Sequence, residues 1–207
     1  SIALRYYYED RWGGDMKWNQ KWRGTDSIYG ESIFTGRYEV IGKYQLPLKE
    51  RFFYNVSFNN HNQNSYYGTI KFNAQQQILF NQLYWEKEFE KHSLLIGAAY
   101  RYTWYDDNTV ITQTYDSINP KNKPNNVALP GIFIQDEIKF NCNHKLLLGF
   151  IYDYNQTHGN IYTPRFAYKW SLNSKNILRI NAGTGYRVAN VFSEDHAALT
   201  GSRVVIV

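Results

Sequence analysis

The side chains equipped for chemistry fall into four groups, and each also has a plainer reading. Asp106-Asp107-Asn108 offers the oxygen ligands that Ca²⁺ takes. A Ca²⁺ site at Asp106 and Asp107 is therefore one expectation, completed by Asp15, Asp26 or Asp116 if other loops converge there, with an acidic turn as the ordinary alternative. Glu194-Asp195-His196 has metal-binding side chains, but three successive residues of an extended chain cannot all turn toward one ion, so a solvated or inward-facing loop is expected. Gly183-Thr184-Gly185 follows a strand-like run, yet no third glycine and no helix lie behind it, which makes it a strand end rather than a phosphate cradle. Trp12, Trp18, Trp22 and Tyr29 crowd one polar stretch, and Trp104-Tyr105 opens another. Exposed rings suit a planar or sugar-like ligand, so these six are the candidate ligand contacts; packing of the loop on itself stands as the alternative. There is no Gly-x-Ser-x-Gly elbow, no His-Glu-x-x-His and no Cys–His pairing, and the lone Cys142 sits in a turn-like Asn-Cys-Asn-His. No catalytic residue and no cofactor is expected.

The elements that must carry these residues are extended. Across 207 residues, aromatics make up 18%, yet mean hydropathy is −0.58. Many bulky rings in a polar chain suit segments that are apolar on one face only, whereas disordered chains are poor in aromatics. No apolar run approaches the ~18 residues of a membrane-spanning helix. The net charge of +5 is scattered, which argues against a nucleic-acid partner.

Period-2 alternation runs along the whole chain. Apolar residues take the even positions in Ile2–Tyr8, Phe34–Leu46, Phe52–Phe58, Leu94–Trp104, Ile132–Phe140, Leu146–Tyr154, Tyr162–Trp170 and Leu178–Ala182. Residues 76–89 are ambiguous, because Ile78 and Phe80 have one parity while Leu83 and Trp85 have the other. Nine strands result. Asp136 falls on an apolar face, which calls for a bulge or a place near an interface. Short links at residues 47–50, 88–92, 141–144 and 172–176 alternate with longer ones at about 9–30, 60–75, 106–128 and 155–160. That alternation predicts an antiparallel up-and-down transmembrane β-barrel segment, with short periplasmic turns and longer outer loops. Tyr6, Tyr7, Tyr8, Tyr152 and Tyr154 would form one aromatic girdle, and Trp85 and Trp170 the other.

The odd positions carry Arg37, Glu39, Arg101, Gln135, Glu137, Arg165 and Arg179, which are expected to face a lumen or a plug within it. So many charges could not be buried dry. Open strand edges do not persist in lipid, so nine strands must belong to a larger barrel. Both chain ends look cut, and residues 1–207 read as part of one barrel domain.

Several segments resemble the TonB-dependent outer-membrane receptors: Phe133-Ile134-Gln135-Asp136-Glu137, then Leu148-Gly149-Phe150-Ile151-Tyr152-Asp153, then Thr163-Pro164-Arg165, then Arg179 through Gly183-Thr184-Gly185-Tyr186-Arg187. They stand in family order and spacing, with Ile151 replacing the usual arginine. Tyr8-Glu9-Asp10-Arg11-Trp12-Gly13-Gly14, Tyr29-Gly30-Glu31-Ser32 and residues 193–201 resemble the Bacteroidetes branch often grouped with cobalamin and siderophore receptors. The resemblance implies a barrel of about 22 strands with a plugged lumen, in the bacterial outer membrane. Its implied partners are outer-membrane lipid, the receptor's own N-terminal plug, a TonB-type energy-coupling protein and a small nutrient ligand such as a siderophore, metal chelate or corrinoid. A diffusion porin, a barrel enzyme and a soluble β-rich binding module are the rival classes.

Overall fold

The structure is a computed structural model that describes residues 1–114 and 118–187. Asp116 and Glu194-Asp195-His196 lie outside the described residues.

Nine strands are described, each hydrogen-bonded antiparallel to its sequence neighbour in the order β1 to β9. They are β1 Ile2–Gly14, β2 Gly30–Gln45, β3 Arg51–Tyr67, β4 Ile70–Glu88, β5 His92–Asp107, β6 Asn125–Lys139, β7 His144–Asn155, β8 Gly159–Ser171 and β9 Ile177–Gly183. Two short 3₁₀ turns, Gln20–Trp22 and Val110–Thr112, interrupt the long loops. No described helix is long and apolar enough to cross a membrane.

Directly paired residues share a face of a sheet. The register therefore carries the outer face from Ile96 to Ile134, Phe150 and Pro164 across β5 to β8. Ile2, Leu4, Tyr6, Ile132, Ile134, Leu148, Phe150, Tyr162 and Phe166 on this face are all exposed. An apolar surface of that extent is a lipid-facing belt, not the interior of a sandwich. At the short-turn end, Phe52 stacks on Trp85, and His144 stacks between Tyr168 and Trp170. Near the other end, Tyr162 packs against Phe150 and Tyr152. These are the two aromatic girdles.

β4 resolves the ambiguous run. The turn between β3 and β4 occupies only Gly68 and Thr69, with Gly68 at φ 59°. It pairs Phe58 with Leu79 and Phe52 with Trp85, so β4 alone turns its odd positions outward. Ile78 and Phe80 consequently face inward. The amide left on the lipid side, Asn81, accepts a hydrogen bond from Tyr54 Oη at 2.5 Å.

The expected long link at residues 60–75 is mostly strand. β3 has 17 residues and β4 has 19, against the ~9–11 that a tilted strand needs to span the apolar layer. The surplus stands above the belt, where the outer face changes from Val56 and Phe58 to Asn60, Asn62 and Asn64, paired with Gln77, Gln75 and Asn73. The link expected at residues 155–160 likewise shrinks to residues 156–158, with Gly159 in the left-handed region at φ 71°. Among the described residues, the longer loops on that side are residues 15–29, between β1 and β2, and the link from β5 to β6, described over residues 108–114 and 118–124. The two ends therefore differ as much in strand overhang as in loop length.

Asp136 is accommodated without a bulge. It pairs in unbroken register with Leu94 and Leu148, and its Oδ2 lies 2.7 Å from His92 Nδ1 near the short-turn end. Its charge meets an interfacial imidazole instead of hydrocarbon.

Candidate functional site

The inner face is built from the alternate residues that the pleat turns away from lipid. Glu39 is the hub of its first part. Arg5 and Asn59 stand directly opposite it on β1 and β3. Arg5 Nη1 donates to Glu39 Oε2 at 3.1 Å, Asn59 Nδ2 to Oε1 at 2.8 Å, and Arg37 pairs with the same carboxylate. Arg5, Arg37 and Glu39, with Tyr7, His61 and Gln63, line a trough of about 570 Å³. The cations here find carboxylates within the sheet, which fits a wetted wall: paired and hydrated charge escapes the desolvation cost of dry burial.

A second depression of about 790 Å³ spans β3 to β8 and mixes apolar with charged side chains. Ile78, Phe80, Val127, Leu129 and Ile151 share it with Arg101 and Arg165. The Arg101 guanidinium lies 5.8 Å from the Phe80 ring centre, near enough for a cation–π contact. Gly131 lets Asp153 lie against the backbone, where a Cβ would stand 2.0 Å from Asp153 Oδ1. Asp153 Oδ2 accepts a hydrogen bond from Tyr186 Oη at 2.7 Å. Gly97 makes similar room for Phe133, whose Cζ would lie 2.5 Å from an added Cβ.

Toward the overhanging end, Tyr67, Phe72, Ala74 and Tyr105 form a buried inner-face cluster, with Ile33 against it. Sequence reasoning missed this cluster, because Phe72 lay in an expected loop.

The seven residues expected on the lumen side share the face opposite the apolar belt. Arg37 and Glu39 line the first trough, Arg101 and Arg165 the second. Gln135 pairs with Gly149 next to Arg165, Glu137 accepts from Lys145 Nζ at 3.1 Å, and Arg179 lies opposite Lys169.

The six aromatic candidates do not form one surface. Trp12 is on the outer face and stacks on Trp18 at 5.7 Å. Trp18 is buried over Gly30, where any Cβ would strike its indole. Lys21 covers Trp22. Tyr29 packs by the Gly68 turn and donates to Glu31 Oε1 at 2.8 Å, which raises the phenol's pKa because the bond favours the neutral form. Trp104 faces outward and Tyr105 inward, as adjacent strand residues must. Residues 15–29 instead close on themselves and onto the hairpin through Arg23. Its Nε donates to Ser32 Oγ at 3.0 Å and its Nη2 to Asn64 Oδ1 at 2.8 Å, and its guanidinium lies between the Phe34 and Tyr66 rings.

Nor do Asp106 and Asp107 share a coordination sphere. They point to opposite faces. Asp107 Oδ1 accepts from Thr109 N, Thr109 Oγ1 and Thr112 Oγ1, shaping the following 3₁₀ turn, while Asp106 Oδ2 accepts from Asn122. Among the described residues, no three His, Cys, Asp or Glu side chains gather as a metal site.

An open antiparallel sheet with an apolar belt on one face and charged side chains on the other is the geometry of an outer-membrane barrel wall. The family model "TonB dependent receptor-like, beta-barrel" matches residues 2–200. The chain belongs to the TonB-dependent receptor β-barrel family. Its place is the outer membrane of Gram-negative bacteria. The siderophore receptor PirA from Pseudomonas aeruginosa superposes with a TM-score of 0.59 at 10% identity, covering 79% of this chain and 28% of that one. PirA from Acinetobacter baumannii gives 0.53 at 13% identity, covering 70% and 24%. At such identities the likeness is one of fold. The receptor segment thus spans about a quarter of the length of these structures. No curated protein sequence matches it.

Proposed function

We propose that this segment is part of the wall of a receptor that takes up a scarce nutrient across the outer membrane by TonB-dependent active transport. The observation that carries the reading is the inner face: ion pairs and amides along β1 to β3, continuous with guanidinium groups set among apolar residues along β5 to β8. A wall of this kind is suited to a hydrated lumen holding a polar plug, and to a ligand that carries both charge and apolar surface. A siderophore, another metal chelate or a corrinoid answers that description, and the PirA structures are siderophore receptors by name. The likeness to them supports the substrate class through fold alone.

In this reading the protein makes and breaks no covalent bond. The outer mouth, edged by the exposed Tyr29 and the β3–β4 overhang, meets the ligand first. The wall then holds the receptor's own N-terminal plug, and a TonB-type protein acting on that plug opens the path. Uptake of labelled ferric siderophores and corrinoids is compared between a strain with the full-length gene and one lacking it. Loss of uptake of at least one such compound is expected; unchanged uptake of all of them would overturn the proposal.

A further inference from the structure

The register places four cations in one lateral row on the inner face. Lys139 pairs with Lys145, Lys145 with Lys169, and Lys169 with Arg179, across β6, β7, β8 and β9. Lys91 continues the row, since its carbonyl accepts Lys139 N at 2.7 Å. Each of the four strand residues lies within three positions of a strand end on the short-turn, periplasmic side. At the usual strand spacing the four span about 14 Å.

Like charges directly opposite one another destabilise a sheet. On β1 to β4 the sheet supplies its own carboxylates: Glu39 takes Arg5 and Arg37, and Glu86 takes Arg51. In the row, only Lys145 has one, from Glu137 at 3.1 Å. Among the described residues no carboxylate lies within ion-pair distance of Lys139, Lys169 or Arg179. The balancing charge must therefore come from outside these strands. Lys139 and Lys169 have described neighbours on both sides, so for them a balancing protein charge arrives from the lumen side, away from the belt where His144 and Trp170 meet lipid.

We propose that this row is the docking surface for an acidic polypeptide segment, carried by the plug of the same receptor, at the periplasmic mouth of the lumen. The proposal rests on the plugged-receptor reading above. Charge complementarity defines the chemistry. The size of the remainder supplies the occupant, since this chain matches only 28% of the length of a receptor with the same fold. Several carboxylates spaced along an extended or helical edge would each meet one cation, latching the plug at its inner end.

The test uses the full-length receptor in detergent and in vesicles. Zero-length carbodiimide coupling joins only carboxylates and amines already in contact, and mass spectrometry of the digest then shows which acids bond to Lys139 and Lys169. Cross-links to Asp or Glu residues N-terminal to this segment are expected. Lys169→Glu combined with Arg179→Glu should abolish them and raise large-conductance openings in planar bilayers at least tenfold under mild urea, and Lys169→Gln with Arg179→Gln should do so less. A lysine placed at the cross-linked acid should restore the closed state of the reversed variant. Coupling confined to Glu137, or openings unchanged in a reversed receptor that still folds, would overturn the proposal. So would a row that retains phosphorus from lipid or inorganic phosphate in the purified receptor while coupling to no protein acid. Uptake is measured separately, so a receptor that cross-links but imports none of the tested nutrients would overturn the transport reading alone.

Discussion

Ala98 and Ala99 are neighbours on β5 that the pleat sends to opposite sides, and an arginine at each position tests the whole assignment. Ala98 is exposed on the outer face between Leu83 of β4 and Ile132 of β6. It lies near the middle of the apolar stretch from Leu94 to Trp104. Ala99 faces inward between Gln82 and Gly131, on the polar side of the sheet. An arginine near the bilayer midplane costs ~2–4 kcal/mol on the lipid face of a barrel. Converted at 1.4 kcal/mol per decade, Ala98→Arg should lower the folding equilibrium constant roughly 30- to 700-fold. Ala99→Arg should stay within about 0.5 kcal/mol of wild type, as for an ordinary surface change. The assay is reversible folding of the full-length receptor into lipid vesicles across a denaturant gradient, read by tryptophan fluorescence and by heat-modifiable gel mobility. The comparison holds residue type and strand constant, so helical or strand propensity cancels. Equal losses at the two positions, or a larger loss at Ala99, would refute the lipid-facing assignment of the even positions on β5.

Three further outcomes follow from the geometry. Arg23→Ala should speed protease cleavage within residues 15–29 about tenfold by removing the clamp on Ser32 and Asn64, and Arg23→Lys should not restore protection, because an ammonium lacks the planar fork; unchanged cleavage would show that the loop is held by other contacts. Gly97→Ala should destabilise the folded barrel by ~1–3 kcal/mol in the same denaturant assay, through overpacking against Phe133 and the Leu83 carbonyl. In the turn before β3, Glu50 has its carboxyl held below the ordinary value, first by the hydrogen bond from Lys87 and also by that from Trp85. A lowered folded-state value means that Glu50 stabilises the protein above the ordinary carboxylate range and loses that contribution as pH falls through its own value. The stability difference between wild type and Glu50→Gln should therefore be present at neutral pH and vanish in acid, as urea midpoints measured across pH will show.

Much of the fold was legible along the chain because alternation is a local property: each pleat sends successive side chains to opposite faces whatever lies beside the strand. Hence the outer residues of eight strands, the short turns and the inward set from Arg37 to Arg179 were all readable from residue order, as was the family resemblance. β4 was not. Its parity depends on Gly68 and Thr69 closing a two-residue turn, which makes residues 60–75 strand rather than loop. A polar run such as Asn59-Asn60-His61-Asn62-Gln63-Asn64 reads as a loop until its pairing with residues 73–78 is known.

The candidate site divides in the same way. Sequence alone showed which side chains carry charge and which face each one takes. Only the register, set between residues far apart in the chain, decided that Arg5 would join Arg37 at Glu39 and that Lys139, Lys145, Lys169 and Arg179 would stand abreast. The tryptophans of the first loop mark the limit of residue order most clearly. Their exposure was inferred from a polar neighbourhood; Trp12 is exposed, but Trp18 is buried, and Arg23 reaches Asn64 and packs that loop over the outer side of β2 and β3. Alternation is written into a strand by its own backbone, whereas register and loop packing arise from contacts that no local stretch contains.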